Sequence, residues 1–432
     1  MIINKNYLLI LVLCLLTLLA AMNSVIFNVA IPDISKELSL NSSQVSWISV
    51  GYTSIIAVGS LAYGQLSMKY PIKKLFNFGI ILFCMGSVVG FFGYKEYLFV
   101  LIGRFIQASG SSSFVTLSML TINKYIPFKL RGVSLSLLSI SIALALGVGP
   151  LLGGVITSNY SWHFLFLVML ISMLIPIFLK PLLSTSEKDG SIEFDYFGML
   201  LTFLLIISIM LSVNSYYVIV IASIIISAIL IKYSKSRKDS FINLNIFSDG
   251  LFKRLISMGF LLNACHLAIL FVIPLLLSAQ FSMNSQEIGG VFFLGCMVSV
   301  FSSFLAKKML ENKKALFVLF TSNLFILLGS LGLSLFWNQG ITLITVLFLL
   351  ICFGYSPIQV VLNSLVSEYL SEKNSGTGLG IYNMFNFIGM AFGPALVSKV
   401  NFLFNSYSIT FFVCLCFVFT NLLCVFSIKS KI

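Results

Sequence analysis

The chain has 432 residues, of which 59% are hydrophobic and 9% charged, with a formal net charge of +13. Soluble domains are roughly one quarter charged, so water is not the main solvent of this chain, and the short loops leave no room for a sizeable soluble domain. The basic residues are spread over many loops instead of gathering in one patch, which argues against nucleic acid as a partner.

A bilayer core of roughly 30 Å takes about 20 mostly apolar residues per helical crossing. Taken in chain order, apolar segments bounded by Gly, Pro, Asn or Lys predict spans near 7–30, 45–67, 75–94, 97–122, 133–157 and 161–183. A second series is predicted near 196–213, 216–232, 255–277, 286–306, 315–337, 341–367, 376–398 and 405–428. The expectation is an all-α membrane protein with about fourteen transmembrane helices. Lys5 and Ala20-Ala21 give the first span some character of a signal peptide, but the spans that follow favour an uncleaved first helix.

Charge location orients the chain. Of 26 basic residues, 22 fall in alternate loops on one side, Lys36, Lys95 and Lys399 fall on the other, and Arg104 alone lies inside a span. The positive-inside rule then predicts a multi-pass protein of the plasma membrane with both termini in the cytoplasm. The 8 cysteines lie in apolar spans without metal-ligand spacing and read as small buried hydrophobes. No cofactor or metal site is expected.

An internal repeat is detectable. Ile31-Pro32 recurs as Ile273-Pro274, Leu38-Ser39-Leu40-Asn41-Ser42 as Phe281-Ser282-Met283-Asn284-Ser285, Lys73-Lys74 as Lys313-Lys314, and Gly149-Pro150 as Gly393-Pro394. The offsets of 242, 243, 240 and 244 residues are too even for chance. They imply two six-helix bundles, residues 1–183 and 255–432, with two inserted helices and their linkers over 184–254. Parallel repeats of this kind place a substrate cavity between the halves, near the bilayer midplane.

Several segments resemble the major facilitator superfamily, specifically its fourteen-span branch of multidrug and tetracycline drug:proton antiporters. Asn28-Val29-Ala30-Ile31-Pro32, Trp47 with Tyr52, and Asp195-Tyr196-Phe197-Gly198 are similar to span-boundary segments of that branch. Gly147-Val148-Gly149-Pro150-Leu151-Leu152-Gly153-Gly154 in span five resembles its antiporter motif. Small residues there permit close helix approach, and Pro150 removes a backbone donor and kinks the helix. The resemblance implies a hinge for alternating access at Gly147, Gly149, Pro150, Gly153 and Gly154.

Leu101-Ile102-Gly103-Arg104-Phe105-Ile106-Gln107 in span four resembles the arginine-bearing motif. A guanidinium at depth costs from roughly 2.5 kcal/mol upward and is a functional candidate by default; the alternative is an arginine that snorkels to the interface. The loop Gly64-Gln65-Leu66-Ser67-Met68-Lys69-Tyr70-Pro71-Ile72-Lys73-Lys74 partly matches the superfamily's cytoplasmic gate motif. Gly64, Lys69, Lys73 and Lys74 are retained, but Met68 stands where Asp is usual. The resemblance therefore implies a weaker inward gate, or one closed by another contact.

Relatives often carry Asp in the first span, where this chain has Asn23, and all 13 acidic residues lie in loops or at span ends. His266 is the one deep side chain whose ordinary titration lies near neutrality. Arg104, His266, Asn23 and Gln107 are thus the candidates for transport and coupling, with protonation of His266 opposed by the charge of Arg104. Asn28, Asn263, Gln359, Asn363, Asn383 and Asn386 are further amides in spans, readable as helix-to-helix hydrogen bonds or as cavity lining.

There is no Gly-rich nucleotide-binding loop and no catalytic constellation, so neither a primary pump nor an enzyme is expected. The reading is a monomeric secondary transporter that exports small amphipathic compounds across the bilayer in exchange for protons. An uptake carrier or facilitator, or a transport-defective sensor, stays open as an alternative.

Overall fold

In a computed structural model of the protein, the described residues are 5–40, 42–183, 194–214, 217–237, 240–242, 244–283, 285–311, 314–370 and 375–428. Among them the regular structure is entirely helical. The landmarks Asn41, Asn284 and Lys313, and the first ten residues of the inserted segment, 184–193, lie outside the described residues.

The helices run α1 (Lys5–Val25), α2 (Ile31–Glu37), α3 (Ser42–Lys69), α4 (Ile72–Phe92), α5 (Tyr97–Tyr125), α6 (Phe128–Asn159), α7 (Phe164–Val168) and α8 (Ile175–Leu182). Then come α9 (Tyr196–Asn214), α10 (Tyr217–Ser236), α11 (Gly250–Phe281), α12 (Ser285–Glu311), α13 (Ala315–Phe336), α14 (Ile341–Tyr369), α15 (Ser375–Phe404) and α16 (Tyr407–Ile428). Their ends follow local chemistry. Pro71 and Pro127 precede the first turns of α4 and α6, the Asp249 side chain accepts from the Leu251 amide at the start of α11, and Ser282 closes α11 in the left-handed region at φ 54°.

The predicted spans map onto these helices in order, with α11 beginning a few residues earlier than expected. Among the described residues, twelve helical stretches are long and apolar enough to cross a membrane. The two remaining spans have identifiable reasons for falling short. α3 has the length, but its Ser, Thr, Tyr and Gln side chains dilute its hydropathy, and for α9 the described apolar stretch is Tyr196–Ile209. Span six is one path of three pieces, in which a 3-10 stretch, Met169–Leu174, separates α7 from α8. Pro176 cannot donate a backbone hydrogen bond, so α8 restarts around it.

Small residues set the packing, as expected where lipid removes the hydrophobic drive between helices. A Cβ on Gly110 would stand 2.3 Å from the Gly79 carbonyl oxygen, joining α5 to α4. The same contact recurs 244 residues on: a Cβ on Gly354 would stand 2.4 Å from the Ser322 carbonyl oxygen, joining α14 to α13. Gly149 on α6 lies against Met22 of α1, and its repeat partner Gly393 on α15 lies against the Ala264 carbonyl of α11. The two bundles are therefore built on the same glycine contacts.

The bundles meet along two seams, α3 against α15 and α6 against α12. The inserted helices α9 and α10 pair with each other, and α9 lies over the first seam, touching both α3 and α15. A carboxylate that is 1% exposed anchors this insertion. Asp195 accepts from the amides of Gly198 (2.9 Å) and Phe241 (2.8 Å) and from the Tyr233 hydroxyl (2.7 Å). Gln65 of α3 then donates to the Phe241 carbonyl at 2.7 Å, so the insertion is tied to the first bundle through backbone atoms.

Candidate functional site: a charged cluster, a shared cavity and a titratable ring

Arg104 is completely buried, which removes the snorkelling alternative. Its guanidinium donates to Asn23 Oδ1 (3.1 Å), the Asn23 carbonyl (3.2 Å) and Gln107 Oε1 (3.2 Å), with a longer contact to the Ile48 carbonyl (3.4 Å). Its carbon centre lies 3.9 Å from the Tyr52 ring centroid and 4.3 Å from that of Phe27. Asn23 also donates to the Tyr52 hydroxyl (3.0 Å), and Gln107 donates to Ser87 Oγ (2.7 Å). One charge is thus held by amide and carbonyl dipoles and two ring faces drawn from α1, the 3-10 turn that follows it, α3 and α5, with α4 contributing Ser87.

Beside this cluster lies a cavity of about 510 Å³, counted to its open mouth. Both bundles line it: Ser24 of α1, Ser111 of α5 and Leu146 of α6 face Gln359 of α14 and Asn383 and Phe387 of α15. Arg104, Gln107 and Ser111 follow at i, i+3 and i+7 and share one face of α5. At about 1.5 Å per residue, the charge sits roughly 10 Å along the helix from Ser111.

His266 occupies a second, smaller pocket together with Gly147, Cys296 and Tyr355. Its ring stacks on Tyr355 with centroids 3.6 Å apart and planes 7° from parallel. The Tyr355 hydroxyl donates to Asn263 Oδ1 (3.0 Å), while His266 Nδ1 is buried without a hydrogen-bond partner. Leu146 lines both pockets, so the His266 pocket adjoins the shared cavity.

The glycine-proline stretch of α6 lies between these features. Gly153 packs on the Ile26 carbonyl, 2.6 Å from an added Cβ, where α1 ends in a 3-10 turn over Ile26–Asn28. An added Cβ on Gly147 would fall 1.9 Å from Cys296 Cβ of α12. Gly154 is buried and Pro150 interrupts the hydrogen-bond ladder between the two contacts.

At the lysine-rich end, uncharged groups join the halves. Asn363 of α14 donates to Ser139 of α6 (2.9 Å), and Asn383 of α15 donates to Thr116 of α5 (3.1 Å) and contacts Met119 Sδ (3.6 Å). Met119 and Ser139 each precede Asn363 and Asn383 by 244 residues, so the two bridges occupy corresponding places in the repeat. Ser367 donates to Asn123 Oδ1 (2.5 Å), again across a 244-residue offset, which puts the pair astride the relation between the halves. Gly64 and Gly376 pack backbone to backbone, and Met68, which replaces the usual Asp, accepts from Thr377 through its sulfur at 3.4 Å. Lys73 caps the Lys180 carbonyl at 2.9 Å, Lys69 lies 5.7 Å from the Tyr70 ring, and Lys74 is exposed.

Residues 13–394 match the family model for the Major Facilitator Superfamily. The chain belongs to this superfamily. Among curated relatives it is 22% identical to the riboflavin transporter RibZ of Clostridioides difficile (strain 630), an alignment covering 92% of this chain and 88% of that protein. It is 24% identical to the MFS-type transporter YvkA of Bacillus subtilis (strain 168), with 97% and 96% covered. Among solved structures, the human organic anion transporter MFSD10 (TETRAN) superposes with a TM-score of 0.73 over 98% of this chain and 100% of that chain, at 14% identity. The protein is a multi-span transporter of the major facilitator type.

Within this superfamily fold, the structure brings Arg104, Asn23 and Gln107 into one network and sets His266 apart, in the second bundle with Tyr355 and Asn263. The direct opposition of His266 by Arg104 does not appear among their contacts. Sequence reasoning missed Ser87, the ring sandwich of Arg104, and the anchoring role of Asp195. Only the last had a local signal, an Asp three residues before Gly198 that caps α9.

Proposed function

We propose that this protein is a secondary transporter of the plasma membrane that moves small amphipathic compounds outward by alternating access, in exchange for protons. The observation that carries this reading is a cavity lined by both bundles, beside a buried, fully partnered arginine on the same face of α5 as the wall residue Ser111. The charge pattern of the loops supports cytoplasmic termini, which makes the lysine-rich end the inner face and the Asn123, Asn363 and Asn383 bridges the closed inner gate. We take residues 1–183 and 255–432 as the moving halves and 184–254 as the insertion.

In this mechanism α6 flexes at Pro150, between its fixed contact with α1 and its contact with α12. His266 borders that second contact, so a change in its protonation would act on the seam that must open. Arg104 holds the first bundle rigid and sets the potential of the cavity. Gly64, Lys69, Lys73 and Lys74 shape the inner gate. The chain acts as a monomer on a small-molecule substrate.

Everted vesicles test the reading. With an acid interior, compounds identified from the susceptibility of a deletion strain should accumulate, and His266→Ala should flatten the pH response. Equilibration without accumulation would favour a facilitator or uptake carrier, a second reading supported by the lack of any carboxylate deep in a span. The relation to a riboflavin transporter extends the candidate substrates to neutral heteroaromatic metabolites. No movement at all would favour a sensor.

A further inference from the structure

Resting on the transport reading above, we propose that the shared cavity selects uncharged aromatic compounds bearing hydrogen-bond donors, and rejects permanent cations, with Gln359 as the residue that sets this choice. The cavity wall is chiefly apolar, from side chains such as Ile56, Ile142, Phe387 and Met390. Its polar groups are hydroxyls and amides, and none is charged. The Gln359 side chain is 6% exposed, and its Oε1 is buried without a hydrogen-bond partner. A buried carboxamide oxygen left in that state is costly, and a ligand N–H or O–H entering the cavity relieves the cost.

Its two amide neighbours in the wall differ from it. Asn383 donates across the halves to Thr116, whereas the Asn386 oxygen packs against Gly259 of α11 without a hydrogen-bond partner. Gly259 is not part of the cavity wall, so the Asn386 oxygen is turned away from the cavity and Gln359, on α14, is the amide oxygen left to meet a ligand, in the same wall as Ser111 of α5. The electrostatics point the same way. Arg104 is partnered by dipoles and rings but by no carboxylate, so its positive charge is uncompensated in a low-dielectric surrounding. A cation placed in the cavity meets that charge with no anion to offset it. An uncharged donor loses nothing to it.

The wall also limits shape. Phe387 and Met390 on α15 and Ile142 and Leu146 on α6 line it together, an apolar surface that suits a ring system whose polar edge meets Gln359.

Binding to the purified full-length protein tests the proposal, with chloramphenicol as the uncharged donor-bearing probe and ethidium and tetraphenylphosphonium as cations. Chloramphenicol should bind, the cations should bind at least tenfold more weakly, and Gln359→Leu should weaken chloramphenicol at least tenfold. Gln359→Glu should reverse the preference and admit ethidium, a gain that misfolding cannot imitate. Unchanged chloramphenicol binding by Gln359→Leu, absence of chloramphenicol binding by the native chain, or cations bound as tightly as chloramphenicol would each overturn the proposal. The predicted binding pattern without gradient-driven movement in vesicles would instead overturn the transport reading and leave the selectivity standing.

Discussion

Asn23 and Asn263 stand within two residues of corresponding positions on α1 and α11, by the Ile-Pro landmarks, yet their surroundings have diverged. In the first bundle Asn23 helps saturate a permanent charge, with every polar group of the cluster engaged. In the second, Asn263 serves Tyr355, whose ring supports a histidine with an unpartnered nitrogen. A duplicated scaffold has thus kept its glycine contacts and differentiated its polar centres, one fixed and one open to change. The difference teaches that two halves built on the same helix contacts can hold chemically distinct polar centres, a buried charge in one and a stacked imidazole in the other.

The largest effect expected from breaking this contrast is at the fixed centre. Arg104→Ala leaves the oxygens of Asn23 and Gln107 buried without their donor, at a cost of about 1–3 kcal/mol per group. Transport should fall by roughly two orders of magnitude, and thermal unfolding in detergent should move down sharply. Arg104→Lys keeps the charge but cannot fork to both amides, so it should rescue stability in part and transport poorly.

Next comes the seam beside the open centre. Gly147→Ala places a methyl group within 1.9 Å of Cys296 Cβ and should cut transport by about tenfold or more through separation of α6 from α12. Gly132→Ala, at a glycine with open space around it, is the matched control and should transport normally. At the open centre itself, His266→Phe keeps the stack on Tyr355 and removes the ring nitrogens. Stability should hold or rise slightly, since a buried unpartnered polar atom is lost, while the pH dependence of transport should flatten.

A smaller effect is expected at the inner gate. Asn363→Leu or Asn383→Leu removes one bridge between the halves, a change of about 1 kcal/mol. The population with the inner gate open should rise about fivefold, read as faster labelling of a reporter cysteine in the cavity. These bridges are uncharged, so their contribution should be nearly insensitive to salt, unlike an ionic gate.

Much of this architecture is legible in the sequence because the bilayer imposes it. Span length and the even offsets of Ile-Pro and Gly-Pro each follow from one strong constraint, and the helices fall where those signals put them. Partner choice is less legible. Asn363 and Asn383 read as interhelical amides, but that they join opposite halves at related positions depends on how the bundles dock. The stand-in for the missing gate aspartate was equally hidden, since no local feature says that Met68 will accept from Thr377. Asp195 looks like a helix cap and also holds Phe241, a contact made 46 residues away along the chain.

The central claim, two halves rocking about a shared cavity, is tested most directly at Asn123 and Ser367. In a transport-competent background with the native cysteines replaced, Asn123→Cys with Ser367→Cys should cross-link on oxidation, arrest transport, and recover it on reduction. Full transport by the cross-linked protein would contradict the account.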